Sequence, residues 1–547
     1  MTAFRRLSVA TTACLGAVAL AASTLGPTAA EAKVAPAASP VTTTSTAVFT
    51  AKPIKFGRCK SARMRAAKAR CGFLVVPMDY AHPSGRTLKL AVSRIKATAS
   101  RHQGVLISNP GGPGGAGLGL SAYLKDALPR SVSSTYDLIG FDPRGVGASR
   151  PAVTCDPTYA KGPRPPYEPT LGDVPVRSAN ETAWLRRSED YANACGEKYG
   201  SLLAHLTTVE AVKDIDVLRR ALGSKRINYY GFSYGTYLGE IYATMYPKHT
   251  RRLIFDGVVD PRDIWYGAQL SQDKAFEVAI DRFWKWMADH FAVYHLGDID
   301  TEVEDQFYAE QAKLAADPDG DFGSSEWNDV FVDAGYYQGA WPDVAAAFAA
   351  WVKGDHEPMK ALHADDTEGD DNGYAMYVAV QCVDAHWPTD YDQWRSDGFA
   401  TQRRAPFITW NNVWFNTPCI YWPAPQGTPA KVNGKRTPEV LLFNATLDGA
   451  TPFAGALEVR RRFPHAVLIS EEGSTTHADT LNGNACYDNK VARYLKDGHL
   501  PKRKAGNGPD VKCKRSPLPQ PAEANSVAGG DVATTSAKSA SAAHYAR

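Results

Sequence analysis

The stretch Gly231-Phe232-Ser233-Tyr234-Gly235 decides the fold class of this chain. The apolar run at 227–230 predicts a strand before it, and apolar residues at helical spacing from 238 to 245 predict a helix after it. A serine on a tight turn from strand to helix is typical of a nucleophile elbow, in which flanking glycines allow close packing. A chance Gly-x-Ser-x-Gly in a loop is the alternative. The flanking patterns favour the elbow and make Ser233 the predicted nucleophile.

The predicted base and acid lie downstream, in the chain order Ser, acid, His of these hydrolases. A serine hydroxyl needs a histidine to remove its proton, and the histidine needs a carboxylate to hold its tautomer. Asp448 follows the apolar run 440–443, and His477 follows the run 466–469. Both lie past the carboxyl ends of predicted strands, where open α/β sheets build their sites. His465 precedes its strand, at the wrong end of the sheet.

A glycine-rich loop supplies candidate donors for an oxyanion. The strand-like run 103–108 opens into Asn-Pro-Gly-Gly-Pro-Gly-Gly at 109–115, whose bare backbone can approach a negative charge. We expect the N–H groups of Gly111 and Tyr234 to form the oxyanion hole. A phosphate loop is disfavoured because no Lys-Ser/Thr pair follows the glycines, and a linker is disfavoured by the preceding strand.

Four motifs together resemble the secreted tripeptidyl aminopeptidases of actinobacteria, α/β-hydrolase serine peptidases related to prolyl aminopeptidase. The motifs are the loop at 109–115, Phe-Asp-Pro-Arg-Gly-Val-Gly at 141–147, Gly-Phe-Ser-Tyr-Gly-Thr at 231–236 and Asp-Gly-Ala-Thr-Pro at 448–452. The resemblance spans most of the chain, from 59 to 500. It implies catalytic roles for Ser233, Asp448 and His477, while Asp142 and Arg144 are expected to shape the loop beneath the site.

Composition excludes several partner classes. The chain has 547 residues, of which 44% are hydrophobic and 22% charged, an ordinary globular balance. Its net charge of +3 and the absence of a long basic block do not indicate nucleic-acid binding. The predicted chemistry requires no cofactor.

The first residues predict export. Arg5-Arg6 precedes an apolar stretch from 7 to 25, and Ala30-Glu31-Ala32 has the form of a cleavage site, so 1–32 is predicted to be a signal peptide. A membrane anchor is the alternative, but the stretch contains several hydroxyl residues and no comparable apolar run follows. We therefore expect a secreted, extracellular protein without stable membrane association.

The cysteines are expected to form disulfides. Cys14 leaves with the signal, so eight of the nine cysteines remain in the exported chain. Eight cysteines can pair in many ways, and we favour the sequential pairing because each bridge would fix a surface segment. The pairs are Cys59 with Cys71, Cys155 with Cys195, Cys382 with Cys419, and Cys486 with Cys513. No zinc spacing such as Cys-x-x-Cys or His-Glu-x-x-His occurs, so no metal site is predicted.

The organisation predicted from these patterns is an α/β fold with a mostly parallel central sheet and an inserted, largely helical cap domain. The segments are a disordered or propeptide stretch at 33–52, the hydrolase domain at 53–261 and 437–515, the cap insertion at 262–436, and a disordered tail at 516–547. Eleven of the twelve tryptophans fall within the cap. They are expected to form an apolar wall over the nucleophile or, in the alternative, the cap's own core.

An exopeptidase must bind a free amino terminus, and a carboxylate in a closed cleft can select it. Asp384 is the predicted carboxylate because the proposed Cys382–Cys419 bridge would fix its position; the alternative is a structural aspartate. The leading hypothesis is a secreted serine aminopeptidase that releases tripeptides from peptide or protein N-termini, a specificity implied by the resemblance alone. A secreted carboxylesterase of the same fold is the second hypothesis, and a non-catalytic binding protein is the third.

Overall fold

The apolar runs of the sequence form the strands of one sheet. The computed structural model describes residues 49–169, 176–367 and 371–522, and within them the sheet has ten strands. The strands are β1 (Gly57–Arg58), β2 (Arg70–Pro77), β3 (Thr87–Ile95), β4 (Val105–Asn109), β5 (Asp137–Phe141), β6 (Ile227–Phe232), β7 (Thr250–Asp256), β8 (Val440–Ala445), β9 (Ala466–Glu472) and β10 (Val511–Lys514). Their order across the sheet is β1-β2-β3-β5-β4-β6-β7-β8-β9-β10.

Most of the sheet is parallel, as predicted. Strands β4 to β10 pair with their neighbours in parallel, whereas β1, β2 and β3 pair antiparallel, including the pairing of β3 with β5. Because the strands run parallel, the carboxyl ends of β4, β6, β7, β8 and β9 meet at one edge of the sheet. This edge carries the glycine-rich loop and all three predicted catalytic residues.

Helices connect the strands and cover the sheet. In chain order they are α1 (Ala62–Ala66), α2 (Leu120–Ala127), α3 (Arg130–Ser133), α4 (Ala179–Tyr199), α5 (Thr208–Ala221), α6 (Tyr234–Met245), α7 (Tyr266–Asp289), α8 (Phe291–Tyr294), α9 (Asp300–Ala316), α10 (Ser324–Tyr336), α11 (Trp341–Val352), α12 (Glu357–Thr367), α13 (Asp371–Asp384), α14 (Tyr391–Gln402), α15 (Pro406–Asn416), α16 (Phe453–Arg462) and α17 (Ala485–Asp497). Short 3-10 helices lie at Gly200–His205, Pro247–His249, Gln338–Ala340 and Thr417–Ile420.

Alternate side chains of the central strands enter two different cores. In β8, Val440 and Leu442 pack with α5, α6 and α16, whereas Leu441 and Phe443 pack with α2 and α17 on the other face. Both faces are therefore buried, which explains why the strands of this sheet read as continuous apolar runs.

The chain between β7 and β8 is helical and contains α7 to α15; we call this segment the cap. Five of its tryptophans belong to a core made by the cap itself: Trp284, Trp286, Trp327, Trp341 and Trp351. The other six predicted wall residues pack in the core that also covers the sheet, and of these Trp265 lies over Tyr234, with ring centroids 5.9 Å apart. Packing is thus the main role of the tryptophans. The predicted domain boundaries at 262 and 436 fall in the connections outside these helices and stay predictions.

The structure pairs the eight cysteines sequentially, as in the favoured pattern. The bridges are Cys59–Cys71, Cys155–Cys195, Cys382–Cys419 and Cys486–Cys513. The third bridge joins α13 to the 3-10 turn that follows α15, and the fourth joins α17 to the edge strand β10.

The predicted signal peptide lies outside the described residues. The segments predicted to be disordered, 33–52 and 516–547, overlap the described residues at 49–52 and 516–522. Phe49 accepts a hydrogen bond from Arg220 through its carbonyl, and the Pro519 carbonyl accepts one from Trp286 Nε1 at 3.3 Å. Leu518 also packs against the cap core. Among the described residues, none of the helices is both long and apolar enough to span a membrane.

Candidate active site

Ser233 lies on the turn between β6 and α6, and the strained backbone conformation of that turn is at the serine itself. Its φ is 54° and its ψ is −128°, a combination that L-residues rarely adopt. The flanking glycines serve close approach instead. A Cβ atom on Gly231 would collide with the Gly235 carbonyl, and one on Gly235 would lie 2.7 Å from the Asn109 carbonyl oxygen. This geometry has the features of a nucleophile elbow.

His477 and Asp448 form a buried pair. Nδ1 of His477 lies 2.9 Å from Oδ2 and 3.0 Å from Oδ1 of Asp448, and both side chains are about 1% exposed or less. Nε2 of His477 is buried and has no hydrogen-bond partner among the described residues. The Nδ1–H therefore donates to the carboxylate, and Nε2 keeps a lone pair that can accept a proton.

The carboxylate of Asp448 is held by its own loop. The backbone N–H groups of Ala450 and Thr451 donate to Oδ1 at 2.9 and 2.8 Å, and the Thr451 hydroxyl donates to Oδ2 at 2.8 Å. The same hydroxyl lies 3.2 Å from His477 Nδ1. Sequence reasoning missed Thr451; its position three residues after the acid was the available signal.

A turn after β7 connects the nucleophile to the histidine. The Asp256 carbonyl accepts the Ser233 N–H at 2.9 Å, which fixes the elbow to the end of β7. The next residue, Gly257, has a φ of +66°, and a Cβ atom there would lie 2.7 Å from His477 Cε1 and 3.2 Å from Thr451 Oγ1. Gly257 therefore lies so close to His477 and Thr451 that a side chain does not fit. Its position directly after a predicted strand was a signal that sequence reasoning did not use.

The Asp256 side chain supports the histidine loop. Its Oδ2 accepts hydrogen bonds from the backbone N–H of Thr480, at 2.8 Å, and from the Thr480 hydroxyl, which is also 2.6 Å from Tyr230 Oη. Oδ1 has no donor among the described residues. Burial raises the pKa of Asp256 to about 7, against the hydrogen bonds from Thr480 and the charge of His477. A second carboxyl group therefore acts on His477 in addition to that of Asp448.

The glycine-rich loop after β4 lies against the elbow. A Cβ atom on Gly111 would lie 2.8 Å from Ser233 Cβ and 3.1 Å from the Tyr234 nitrogen, so the two predicted oxyanion donors are close together. The Tyr234 N–H is the first of α6 and needs no partner within the helix. The Gly111 N–H donates to Asn109 Oδ1 at 3.0 Å, so in this structure it is already shared with that side chain.

The carboxylate of Asp384 accepts hydrogen bonds from Thr208 at the start of α5. Its Oδ1 accepts the Thr208 N–H at 2.8 Å, and its Oδ2 accepts the Thr208 hydroxyl, which is 2.7 Å from Tyr234 Oη. Burial raises the pKa of Asp384 to about 6, despite these hydrogen bonds. The predicted amine acceptor therefore lies near the elbow, but its oxygens already have donors.

The second motif fixes the loop after β5. Asp142 accepts the N–H groups of Leu118, at 2.7 Å, and Ala148, at 2.8 Å, and burial raises its pKa to about 6. Arg144 donates to both oxygens of Asp214, at 2.8 and 2.7 Å, from a fully buried position. These contacts join the loop to α5.

This fold and the arrangement at its carboxyl edge are those of the α/β-hydrolases, and the family described as alpha/beta hydrolase fold matches residues 104–298. A second family, described as TAP-like protein, matches residues 405–513. The chain belongs to the tripeptidyl aminopeptidase family of α/β-hydrolase enzymes, as the resemblance predicted. It is 42% identical to the tripeptidyl aminopeptidase of Streptomyces lividans over 467 residues, which cover 83% of this chain and 85% of that protein.

Two mycobacterial relatives are more distant. The serine protease Hip1 of Mycobacterium tuberculosis is 30% identical over 480 residues, which cover 82% of this chain and 90% of that protein. Carboxylesterase B of the same organism is 30% identical over 456 residues, which cover 79% of this chain and 85% of that protein. These relationships support a serine peptidase of α/β-hydrolase fold.

Proposed function

We propose that this enzyme is a secreted serine exopeptidase that releases tripeptides from the free amino termini of peptides or proteins. The observation that carries the proposal is the buried His477, whose Nδ1 is bonded to Asp448 and whose Nε2 has no partner in the described part of the chain. A histidine in this state is a general base. The similarity to the Streptomyces lividans tripeptidyl aminopeptidase supports the substrate class.

In this mechanism the Ser233 hydroxyl attacks the carbonyl carbon of the third residue. Nε2 of His477 takes the hydroxyl proton, and the Asp448 carboxylate stabilises the resulting imidazolium. The proton then passes to the leaving amine, the peptide bond breaks, and an acyl-enzyme ester on Ser233 remains. Water, activated by the same histidine, hydrolyses the ester and regenerates the free serine.

The negative charge that develops on the carbonyl oxygen is stabilised by the N–H groups of Gly111 and Tyr234. Both N–H groups belong to elements held against Ser233, so they lie close to where the charge develops. Because Asn109 Oδ1 accepts the Gly111 N–H at 3.0 Å, this donor is shared with, or released to, the oxyanion when substrate binds.

Export is the second part of the proposal. The four disulfides are consistent with an oxidising compartment. Mass spectrometry of the protein from culture medium should find an amino terminus after Ala32 and no free thiol. A retained Cys14 would contradict the signal assignment.

The carboxylesterase alternative has one specific support, the 30% identity to carboxylesterase B. The same nucleophile, base and oxyanion hole cleave esters, so the two functions differ in the preferred substrate. Rates on a tripeptide anilide and on acyl esters of matched size distinguish them. A much higher kcat/KM on the esters would favour the alternative.

The nucleophile is tested with Ser233→Ala. The variant should remain folded, lose several orders of magnitude of tripeptide anilide hydrolysis, and fail to react with a serine-directed phosphonate. Ser224→Ala, at a partly buried serine before β6, is the matched control and should react like the parent. Phosphonate labelling of another serine would overturn the assignment.

A further inference from the structure

The first turns of α7 lie across the catalytic residues. Trp265, which precedes the helix, packs on Tyr234 next to the nucleophile. In the second turn of α7, Gln272 donates to the Ala450 carbonyl in the loop of the catalytic acid. In the third turn, the Phe276 ring packs against the same loop, where a Cβ atom on Gly449 would lie 2.8 Å from it. The residues of α7 between these contacts therefore border the site.

Four residues of α7 between these contacts, Tyr266, Gln269, Leu270 and Asp273, line a cavity of about 10 Å³, which has room for one water-sized group. The cavity lies between α7, α14 and α15. Its polar and aromatic lining consists of Tyr266, Gln269, Asp273, Trp394, Asn412 and Asn416. An ammonium group has the size of a water molecule, and aromatic rings beside a carboxylate favour a cation over a neutral group.

The lining is rich in acceptors and lacks a cation. Gln269 is 7% exposed; its Nε2 donates to Tyr377 Oη at 3.0 Å and to Gln381 Oε1 at 2.9 Å, while its Oε1 has no donor within the described residues. An unpaired acceptor at this depth costs free energy unless a ligand supplies a donor. The helix that carries Gln269 also carries Phe276, whose ring lies 4.9 Å from that of Tyr336, and the Tyr336 ring lies 5.7 Å from that of His477.

Asp273 is the charge in this lining. It is 1% exposed and accepts one hydrogen bond from Asn412 Nδ2, at 2.7 Å. Burial raises the pKa of Asp273 to about 7, against the hydrogen bond from Asn412. In the described ranges no lysine or arginine forms an ion pair with it. A buried carboxylate without a cation partner is unfavourable in the free protein and is stabilised by a bound cation.

We propose that Asp273 and Gln269 form the acceptor site for the free α-ammonium group of the substrate. This inference rests on the proposed function, since it assigns the residues that make the enzyme an exopeptidase. Three extended residues span roughly 10 Å, so a tripeptide acylated on Ser233 would bring its ammonium group to a site of this kind in the overlying cap. The ammonium group donates to the Asp273 carboxylate and to Gln269 Oε1.

The two candidate acceptors differ in what they already bind. Asp384 accepts both the N–H and the hydroxyl of Thr208, so it serves the start of α5. Asp273 borders an empty volume and an unpaired acceptor. The geometry therefore favours Asp273, and Asp384 stays the alternative that the experiment includes.

The test compares Ala-Ala-Ala-p-nitroanilide with propanoyl-Ala-Ala-p-nitroanilide, in which hydrogen replaces the terminal ammonium group and no bulk is added. The parent enzyme should prefer the amine by about 100- to 1,000-fold in kcat/KM, the effect of leaving a buried charge unpaired. In Asp273→Asn this preference should fall below about 10-fold, with the rate on the propanoyl substrate within about 3-fold of the parent. Asp273→Glu should restore most of the preference.

Matched variants separate the outcomes. Glu277→Gln removes an acid one turn further along α7 and should keep the parental preference. Hydrolysis of p-nitrophenyl butyrate reports an intact triad in each variant. An equal loss on both anilides and the ester in Asp273→Asn would overturn the inference, because it makes Asp273 a structural residue. Retained preference in Asp273→Asn would also overturn it, and its loss in Asp384→Asn would move the site there. A parent enzyme without any preference for the amine would instead refute the exopeptidase function itself.

Discussion

The protonation state of His477 decides when this enzyme is active. Burial alone would lower the pKa of His477, but the charge of Asp448, its hydrogen bond and the charge of Asp256 raise it more, so the pKa lies above the ordinary 6.5. Only the neutral imidazole accepts the serine proton, so activity is lost as the pH falls through this pKa. The rate of phosphonate labelling of Ser233 should have its acidic midpoint above 6.5. The labelling assay contains no peptide substrate, so the titration of a substrate amine does not affect the midpoint. A midpoint below 6.5 would contradict the pairing of His477 with Asp448.

Thr451 gives a second prediction at the scale of one side chain. Thr451→Val keeps the shape but removes the hydroxyl that donates to Asp448 Oδ2. A hydrogen bond to a charged group contributes about 1.5 to 3 kcal/mol, so kcat/KM should fall about 10- to 100-fold. Thr451→Ser, which keeps the hydroxyl, is the control and should remain near the parental rate. Equal rates for the valine and serine variants would remove Thr451 from the mechanism.

The residues that the sequence predicted are those whose chemistry is fixed by the reaction and whose chain order is fixed by the fold. Ser233, Asp448 and His477 each follow a readable strand, so their common edge followed from the parallel sheet. Asp256 acts through a partner far away in the chain, since it accepts the N–H of Thr480. Thr451 adds a contact with His477, 26 residues away, to its local bond with Asp448. Such contacts need tertiary structure. Asp384 shows the converse, because its nearness to a cysteine said nothing about the Thr208 donors.

At the scale of elements, the turn after β7 contacts both the nucleophile and the base, so a change in this turn displaces one relative to the other. Gly257→Ala would place a Cβ atom 2.7 Å from His477 Cε1, in a backbone conformation that disfavours alanine. We expect a loss of at least about 100-fold in kcat/KM, because a displacement of about 1 Å at the base is sufficient for such a loss. The measurement is steady-state hydrolysis of the tripeptide anilide.

Gly473→Ala is the matched control for that turn. Gly473 has a comparable φ of +75°, yet the nearest atom to its added Cβ would be Arg515 Cδ at 3.9 Å. Both variants therefore carry similar backbone strain, of about 1 to 2 kcal/mol, but only Gly257→Ala adds the contact with His477. Gly473→Ala should lose stability and keep most of its activity. Equal activity losses in the two variants would assign the effect to strain alone.

The sequence predicted a largely helical cap but not where its first helix begins, which is at Tyr266. The first turns of α7 carry Gln269, Gln272 and Asp273, polar side chains that bond to α13, to the Asp448 loop and to α15 and interrupt the apolar period. The strands at 440–443 and 466–469 were found because buried strands read as apolar runs; the structure extends them to Ala445 and Glu472.

At the scale of the whole molecule, the α/β-hydrolase fold followed from alternating strand and helix patterns, but the cap's packing did not. Its helices bury their tryptophans against each other, as in the contact of Trp286 with Trp341 at 5.6 Å. No local pattern specifies which buried aromatic meets which. The cap also contacts the sheet domain through α13, where a Cβ atom on Gly114 would collide with the Gly373 carbonyl.

The Cys382–Cys419 bridge holds this helix, which leads to the last prediction. The bridge closes a span of 37 residues, and Cys486–Cys513 closes one of 27 on the edge strand. Loop-closure entropy depends weakly on length, so replacing either pair by serine should cost a similar stability, about 2 to 4 kcal/mol. Only the loss of Cys382–Cys419 loosens α13 over the glycine-rich loop and Gly111. At temperatures well below its thermal transition, the Cys382→Ser/Cys419→Ser variant should therefore have a lower kcat/KM than the parent. The Cys486→Ser/Cys513→Ser variant should keep the parental kcat/KM at such temperatures. Thermal denaturation and anilide kinetics on both variants test this, and equal activity losses would mean that the bridges act on stability alone.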